Sequence, residues 1–278
     1  MNIRLSICIP TYNRAGCLKE LLPGILAQVD SGEVEIVVSD NASTDGTSEY
    51  LRSIDNTHLR WWTNAENIGG DKNFLKCIEE AKGEYVWLFG DDDIMPSDSV
   101  GKALDFLRVN SPSLLISDNI EVGIPAGVYV DYKAMIATRG ARLALSHTLI
   151  SANVFRRDLF DMSLALKTLW VQYAHMFGIM ANMQGRAIGV IPRLIDTRPV
   201  RAEFAKYPSC LCVKQAIYMW FLAKRFGLPR FRRRAIWNAC NLPVEYASRI
   251  WNWGRNVFKR LNTDPDKVVI GPPNHETQ

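Results

Sequence analysis

Three apolar runs, Leu5–Ile9, Glu35–Ser39 and Tyr85–Phe89, are rich in β-branched or aromatic residues, and each stops at a polar cluster. Runs of this kind read as strands covered on both faces, which is the condition of strands in a parallel sheet. Between them the apolar spacing changes to a helical one. Leu18, Leu21, Leu22, Ile25 and Leu26 share one face, and Phe74, Leu75, Ile78 and Ala81 share another after a turn at Gly69-Gly70. Strand and helix alternating over the first 110 residues predict an α/β fold: an open, mostly parallel sheet flanked by helices, with right-handed crossovers.

Ligands of such sheets bind beyond the carboxyl ends of the strands. Pro10-Thr11-Tyr12-Asn13-Arg14 follows the first run, Asp40-Asn41-Ala42-Ser43-Thr44-Asp45-Gly46 the second, and Gly90-Asp91-Asp92-Asp93 the run at 85–89. Polar clusters far apart in the chain are therefore expected on one edge. The three aspartates repel one another and have no lysine or arginine within five positions. They fit a solvated turn ahead of a helix capped near Ser97 or Asp98. They fit equally a site for a divalent cation, since hard cations take oxygen ligands. The other features also have plain readings: Asp40 and Asn41 as caps of a helix beginning near Ser43, Gly69-Gly70 as a turn, and Arg14 and Lys72 as surface residues.

With 278 residues, 47% of them hydrophobic and 22% charged, the composition excludes a disordered or fibrous chain. Cys8, Cys17, Cys77, Cys210, Cys212 and Cys240 form no CxxC pair, so reduced thiols of a cytoplasmic protein are expected rather than disulfides or zinc. MNIRLSICIP reaches a proline after a few apolar residues and lacks a small-residue cleavage site, so it does not read as a signal peptide. No apolar stretch has the length of a membrane-spanning helix. The net charge of +4 is uneven: residues 206–262 carry twelve Lys/Arg against Glu245 alone, and the rest of the chain holds 21 basic against 28 acidic residues. Trp220, Trp237, Trp251 and Trp253 fall in that same segment. Basic residues interleaved with aromatics suit an anionic surface, either lipid headgroups or nucleic acid. The expected organisation is one domain over 1–205, with halves at 1–110 and 111–205. A basic, Trp-rich helical appendage over 206–262 and a disordered tail over 263–278 complete it. Helices are expected at 133–146 and 164–183.

SICIPTYNR, VVSDNASTDGT, NIGGDKNF and GEYVWLFGDDDIMP, in this order, resemble the successive nucleotide-sugar motifs of family 2 glycosyltransferases, which have the GT-A (nucleotide-diphospho-sugar transferase) fold. The resemblance covers residues 3–110. Its GDD and NASTDGT forms are most similar to the abequosyltransferase-like enzymes of bacterial O-antigen assembly. It implies that Pro10, Thr11, Tyr12 and Arg14 line a nucleoside pocket, with Asp40 accepting a hydrogen bond from the base and Asn41 beside it. Asn67, Gly69, Lys72 and Asn73 would approach the ribose and diphosphate. Gly90 stands where the commoner acidic motif has its first aspartate, so Asp91 is assigned to the ribose and Asp92, supported by Asp93, to Mg²⁺ or Mn²⁺. Such an ion stabilises the charge that develops on a departing nucleoside diphosphate.

Inverting enzymes of this type also need a base for the acceptor hydroxyl. The acidic pair usual in the family is missing. LWVQYAHMFGIM, residues 169–180, instead sets Gln172 and His175 one helical turn apart in an apolar segment. His175 is therefore a candidate base or a hydrogen-bonded core histidine, and Asp161, Asp158 and Asp196 are the acidic alternatives. Arg198 and Arg201 fit a loop closing over the diphosphate or a solvated one. The expected function is a metal-dependent inverting glycosyltransferase. It would move a sugar from a nucleotide-diphosphate donor to a lipid-linked saccharide acceptor at an anionic membrane surface, peripherally and on the cytoplasmic side. A sugar nucleotidyltransferase would carry a Gly-rich phosphate loop where this chain has PTYNR. A nucleotide-sugar-binding protein without catalysis is the harder rival. Nucleic acid is not an expected partner, because the arginines come without a recognisable nucleic-acid module.

Overall fold

The computed structural model describes residues 3–118, 126–130, 134, 135, 138, 150–160, 187–192 and 194–196. The first half alternates as expected. β1 (Leu5–Thr11), β2 (Val34–Asp40), β3 (Leu59–Thr63) and β4 (Tyr85–Leu88) are separated by α1 (Ala15–Leu26), α2 (Thr47–Arg52) and α3 (Gly70–Glu79). α4 (Ser99–Asn110) leads into β5 (Leu114–Asp118), and β6 (Gly127–Tyr129), β7 (Asn153–Arg156) and β8 (Ile188–Pro192) complete the described strands. They form one sheet in the order β3-β2-β1-β4-β7-β5-β8-β6.

The sheet is mixed. β1 is parallel to β2 and β4, β2 to β3, and β5 to β8, whereas β7 runs antiparallel between β4 and β5 and β6 pairs antiparallel with β8. β1, β2 and β4 are buried along their whole length, as their apolar runs require. Leu18, Leu21, Leu22 and Ile25 of α1 and Leu75 and Ile78 of α3 are the faces that cover the sheet. Trp87, Tyr85, Phe89 and Phe155 are the largest fully buried side chains. At about 25 cal/mol per Å² of apolar surface, such aromatics are the largest single contributions to this core.

Two boundaries move. The helix expected near Ser43 begins at Thr47, because the loop before it passes through positive φ at Ala42 and Gly46 and cannot be helical there. The cap expected near Ser97 or Asp98 falls at Asp98, but its side chain makes no capping hydrogen bond and pairs with Lys102 at 2.5 Å instead. Among the described residues, no helix is long and apolar enough to cross a membrane. The helices expected at 164–183 and in 206–262, the tail at 263–278, and His175, Asp161, Arg198 and Arg201 lie outside the described residues, as does most of 133–146.

Candidate active site

Strand register decides which loops meet. Thr11 pairs with Asp40 and Asp40 with Thr63, so β1, β2 and β3 end level with one another. Cys8 pairs with Leu88, and the same register carried three residues further brings Asp91 level with Thr11. The polar loops after β1, β2, β3 and β4 therefore share the carboxyl edge of the sheet.

The acidic motif is bound by both halves of the fold. Thr11 Oγ1 donates to Asp91 Oδ2 at 2.8 Å, and Arg14 Nη1 reaches Asp91 Oδ1 at 3.2 Å and Asp92 Oδ2 at 2.5 Å. Arg14 therefore sits on the carboxylates, whereas the resemblance placed it in the nucleoside pocket. Partial burial works against its charge, but Asp91 and Asp92 outweigh that and raise the guanidinium pKa. From the other half, Ser151 Oγ accepts the Gly90 amide at 2.7 Å and donates to Asp93 in a short hydrogen bond, while its carbonyl accepts Trp87 Nε1 at 2.7 Å. Beyond the triplet, Ile94 and Asp196 exchange backbone hydrogen bonds of 2.8 and 2.9 Å. Asp91 is buried and Asp92 and Asp93 are half-buried, so the turn at 91–93 is tied into the fold and not fully solvated.

Gly90 matters through what it lacks. A Cβ there would lie 3.0 Å from Asp93 Oδ2 and 3.3 Å from both Asp92 Oδ1 and Ser151 Oγ. An oxygen of each carboxylate thus faces the glycine; among the described residues no three acidic, His or Cys side chains gather as a cation site, but Asp92 and Asp93 offer hard oxygen donors of the kind Mg²⁺ or Mn²⁺ takes alongside other ligands. Gly90→Ala is expected to push these carboxylates apart and lower transfer about tenfold or more, with the melting temperature little changed because the motif lies at a strand end. Steady-state rates alongside thermal melts check this, and an unaltered rate would show that the convergence is unimportant.

A second cluster, of amides, joins the ends of β1, β2 and β3. Asn73 Oδ1 accepts from Ser39 Oγ at 2.7 Å and Asn64 Nδ2 at 2.9 Å, and Asn73 Nδ2 donates to the Ser39 carbonyl at 2.9 Å. Asn64 Nδ2 also reaches Asn41 Oδ1 at 3.1 Å, Asn41 Nδ2 donates to Asn67 Oδ1 at 2.8 Å, and Lys76 Nζ donates to Asn64 Oδ1 at 2.7 Å. Asn41, Asn64 and Asn73 are buried, so they hold the edge together. Asp40, expected to meet the base, is fully buried and accepts from the Ser43 amide, Ser48 Oγ and Thr63 Oγ1 at 3.1, 2.7 and 3.0 Å. Its complete burial leaves neither oxygen open to a base without movement of the surrounding loops.

Asp45 takes the first amide of α1, from Ala15, at 2.9 Å, and the Thr47 amide and hydroxyl at 3.2 and 2.5 Å. Burial opposes its charge, but these hydrogen bonds hold the carboxyl below its usual pKa. Asn13 and Thr44 lock the loops after β1 and β2, with the Thr44 amide 2.8 Å from Asn13 Oδ1. Pro10 is buried within β1, whereas Tyr12, Asn67, Gly69 and Lys72 are exposed on the edge. Gly69 has φ of 85°, which admits glycine most readily, and it starts α3 with its first turn open to this edge. Asp158 lies at the opposite edge: Arg156, opposite Tyr85 at the amino end of β4, holds it at 2.7 Å. This removes Asp158 as a base for chemistry at the acidic motif. Ser151, Asn64 and Lys76 belong to no motif legible in the sequence.

A β-sheet whose carboxyl edge gathers these loops, flanked by helices, is the GT-A architecture. Residues 6–161 match glycosyl transferase family 2, and the chain belongs to that family. Abequosyltransferase RfbV of Salmonella typhimurium is 40% identical over 123 residues, which span 43% of this chain and 37% of that protein, little more than a third of its length. The structure of S. aureus TarS 1–349 in complex with UDP-GlcNAc superposes with a TM-score of 0.61 at 19% identity, over 93% of this chain and 81% of that one. Mannosyltransferase PcManGT from Pyrobaculum calidifontis, in complex with GDP-Man and Mn²⁺, superposes with a TM-score of 0.55 at 17% identity, over 95% and 82%.

Proposed function

We propose that the chain transfers a sugar, with inversion, from a nucleoside-diphosphate donor to a hydroxyl of a lipid-linked saccharide in the assembly of a bacterial surface polysaccharide. The observation that carries this reading is the joining of Thr11 and Arg14, from the loop after β1, to Asp91 and Asp92, from the loop after β4, on the carboxyl edge of a family 2 sheet. The abequosyltransferase relative and the UDP-GlcNAc and GDP-Man bound to the two superposed structures support a nucleotide-sugar donor.

In this proposal the exposed ring of Tyr12 covers the base, and Asp91, oriented by Thr11, accepts from a ribose hydroxyl. Asn67, Gly69 and Lys72 meet the ribose and diphosphate, where the first turn of a helix and a lysine favour negative charge. Asp92 and Asp93 hold Mg²⁺ or Mn²⁺, which when bound stabilises charge on the leaving diphosphate. The acceptor hydroxyl attacks the anomeric carbon and passes its proton to His175 or Asp161, with Asp196, tied to Ile94 beside the motif, as the remaining acid. Segment 206–262 lies against anionic lipid, its twelve Lys/Arg at the headgroups with four tryptophans.

UDP-, GDP-, CDP- and dTDP-sugars with Mn²⁺ are expected to divide into one that raises the melting temperature and three that do not. The stabilising donor is then expected to release nucleoside diphosphate only with a lipid-linked acceptor present. Stabilisation without acceptor-dependent release would leave a binding protein and remove the transferase. Co-flotation with anionic liposomes at low salt, lost at high salt, checks the membrane part.

A further inference from the structure

We infer that Arg14 is a resident counter-ion of the acidic motif that makes divalent-cation binding conditional on the nucleoside diphosphate: it bridges Asp91 and Asp92 before the donor arrives and leaves Asp92 for the diphosphate when the donor enters. The inference rests on the donor reading above and concerns the order in which the site is filled.

Asp92 has its two oxygens in different places. Oδ2 is held by Arg14 Nη1 at 2.5 Å, and Oδ1 lies on the other side, 3.3 Å from where a Gly90 Cβ would be. A divalent ion taken up by Asp92 shares that carboxylate with a guanidinium, and like charges on one carboxylate repel. The same Nη1 also lies 3.2 Å from Asp91 Oδ1, so Arg14 offsets part of the repulsion among three adjacent acids.

Arg14 is not enclosed by the core. It is the residue that precedes α1, and its side chain is 27% exposed. Asp91 is held independently by Thr11 Oγ1, so rotation of the arginine leaves that carboxylate in place. A diphosphate offers the planar guanidinium two oxygens in the geometry it prefers, which a lone Asp92 oxygen does not. The incoming donor thus removes the competing charge from Asp92 and adds phosphate oxygens for the ion, and each favours the other's binding.

Binding of Mn²⁺ is measured from the loss of the free-ion paramagnetic resonance signal, without turnover. Without nucleotide, Arg14→Met and Arg14→Gln are expected to bind Mn²⁺ about tenfold more tightly than the wild type. Asp92→Asn added to Arg14→Met is expected to cancel the gain, which places the ion at the motif. Adding UDP, GDP, CDP or dTDP, with the Mn²⁺ bound by free nucleotide subtracted, is expected to tighten Mn²⁺ binding strongly for the wild type and much less for either variant. Folded variants that bind Mn²⁺ no more tightly than the wild type, in a protein where a diphosphate still promotes Mn²⁺ binding, overturn the role of Arg14 and leave the donor reading standing. Failure of all proteins to bind Mn²⁺ with any of the four diphosphates overturns both.

Discussion

Asp92→Asn is expected to lower sugar transfer by a factor on the order of 10³ while leaving the fold intact. The amide keeps the shape of the side chain and loses the charge, so it neither pairs with Arg14 nor presents carboxylate oxygen beside Asp93 over Gly90. The stability cost is small because the pair is partly exposed, at 27% for Arg14 and 32% for Asp92, and such pairs contribute about 0–1 kcal/mol. The melting temperature should therefore fall by no more than about 2–4 °C. A chelator is expected to reproduce the loss in the wild type. Transfer that survives both the substitution and the chelator would return the triplet to a structural turn.

Asn73→Ala is expected to do the reverse, costing stability first. Its amide group is buried and makes three hydrogen bonds of 2.7 to 2.9 Å, to Ser39 Oγ, the Ser39 carbonyl and Asn64 Nδ2. Truncation removes all three, at about 1 kcal/mol each or about 3 kcal/mol in all, although Asn64 Nδ2 keeps Asn41 Oδ1 as a partner. That corresponds to a melting temperature lower by about 6–12 °C for a domain of this size. Urea unfolding and donor titration separate the two roles. A variant of unchanged stability that binds the donor weakly would restore the contact with ribose or diphosphate that the NIGGDKNF resemblance implies.

Asn73 also shows where reading the sequence stops. β1, β2 and β4 are legible because a strand covered on both faces must be apolar throughout, and the helical faces at Leu18–Ile25 and Leu75–Ile78 follow from spacing alone. β3 is not legible. Its LRWWT lies on the sheet edge, only part-covered, and carries Arg60, which is tolerated because Glu35 of the neighbouring strand takes its Nε at 3.0 Å. β7 is hidden for another reason: an antiparallel strand inserted between β4 and β5 leaves no mark in the order of the chain.

The motifs announce which residues gather at the carboxyl edge, but not their partners. Register sets those, and register is a property of two strands together. Thr11 meets Asp91 because β1 and β4 are neighbours with Cys8 opposite Leu88. Arg14 could be placed with the nucleoside by resemblance alone, since nothing local to PTYNR tells it that a carboxylate pair stands next door. Ser151 is the extreme case. It lies in a short turn with no signature, and only the approach of β7 to β4 gives it its role.

That turn ties the donor motifs to timing. The acids at 91–93 are made early, yet the hydroxyl that fastens Gly90 and Asp93 comes at 151 and the strand partner of Ile94 at 196. On the ribosome, about a hundred further residues, or roughly 5–20 s of synthesis, separate the motif from its last brace. For about the first 60 of those residues a nascent chain carries the open edge of β4 without β7 beside it. A polypeptide ending near residue 110 would hold all four motifs in their order, with Thr11 and Arg14 on Asp91 and Asp92, and still lack the Ser151 hydroxyl and the Asp196 backbone that brace Gly90, Asp93 and Ile94.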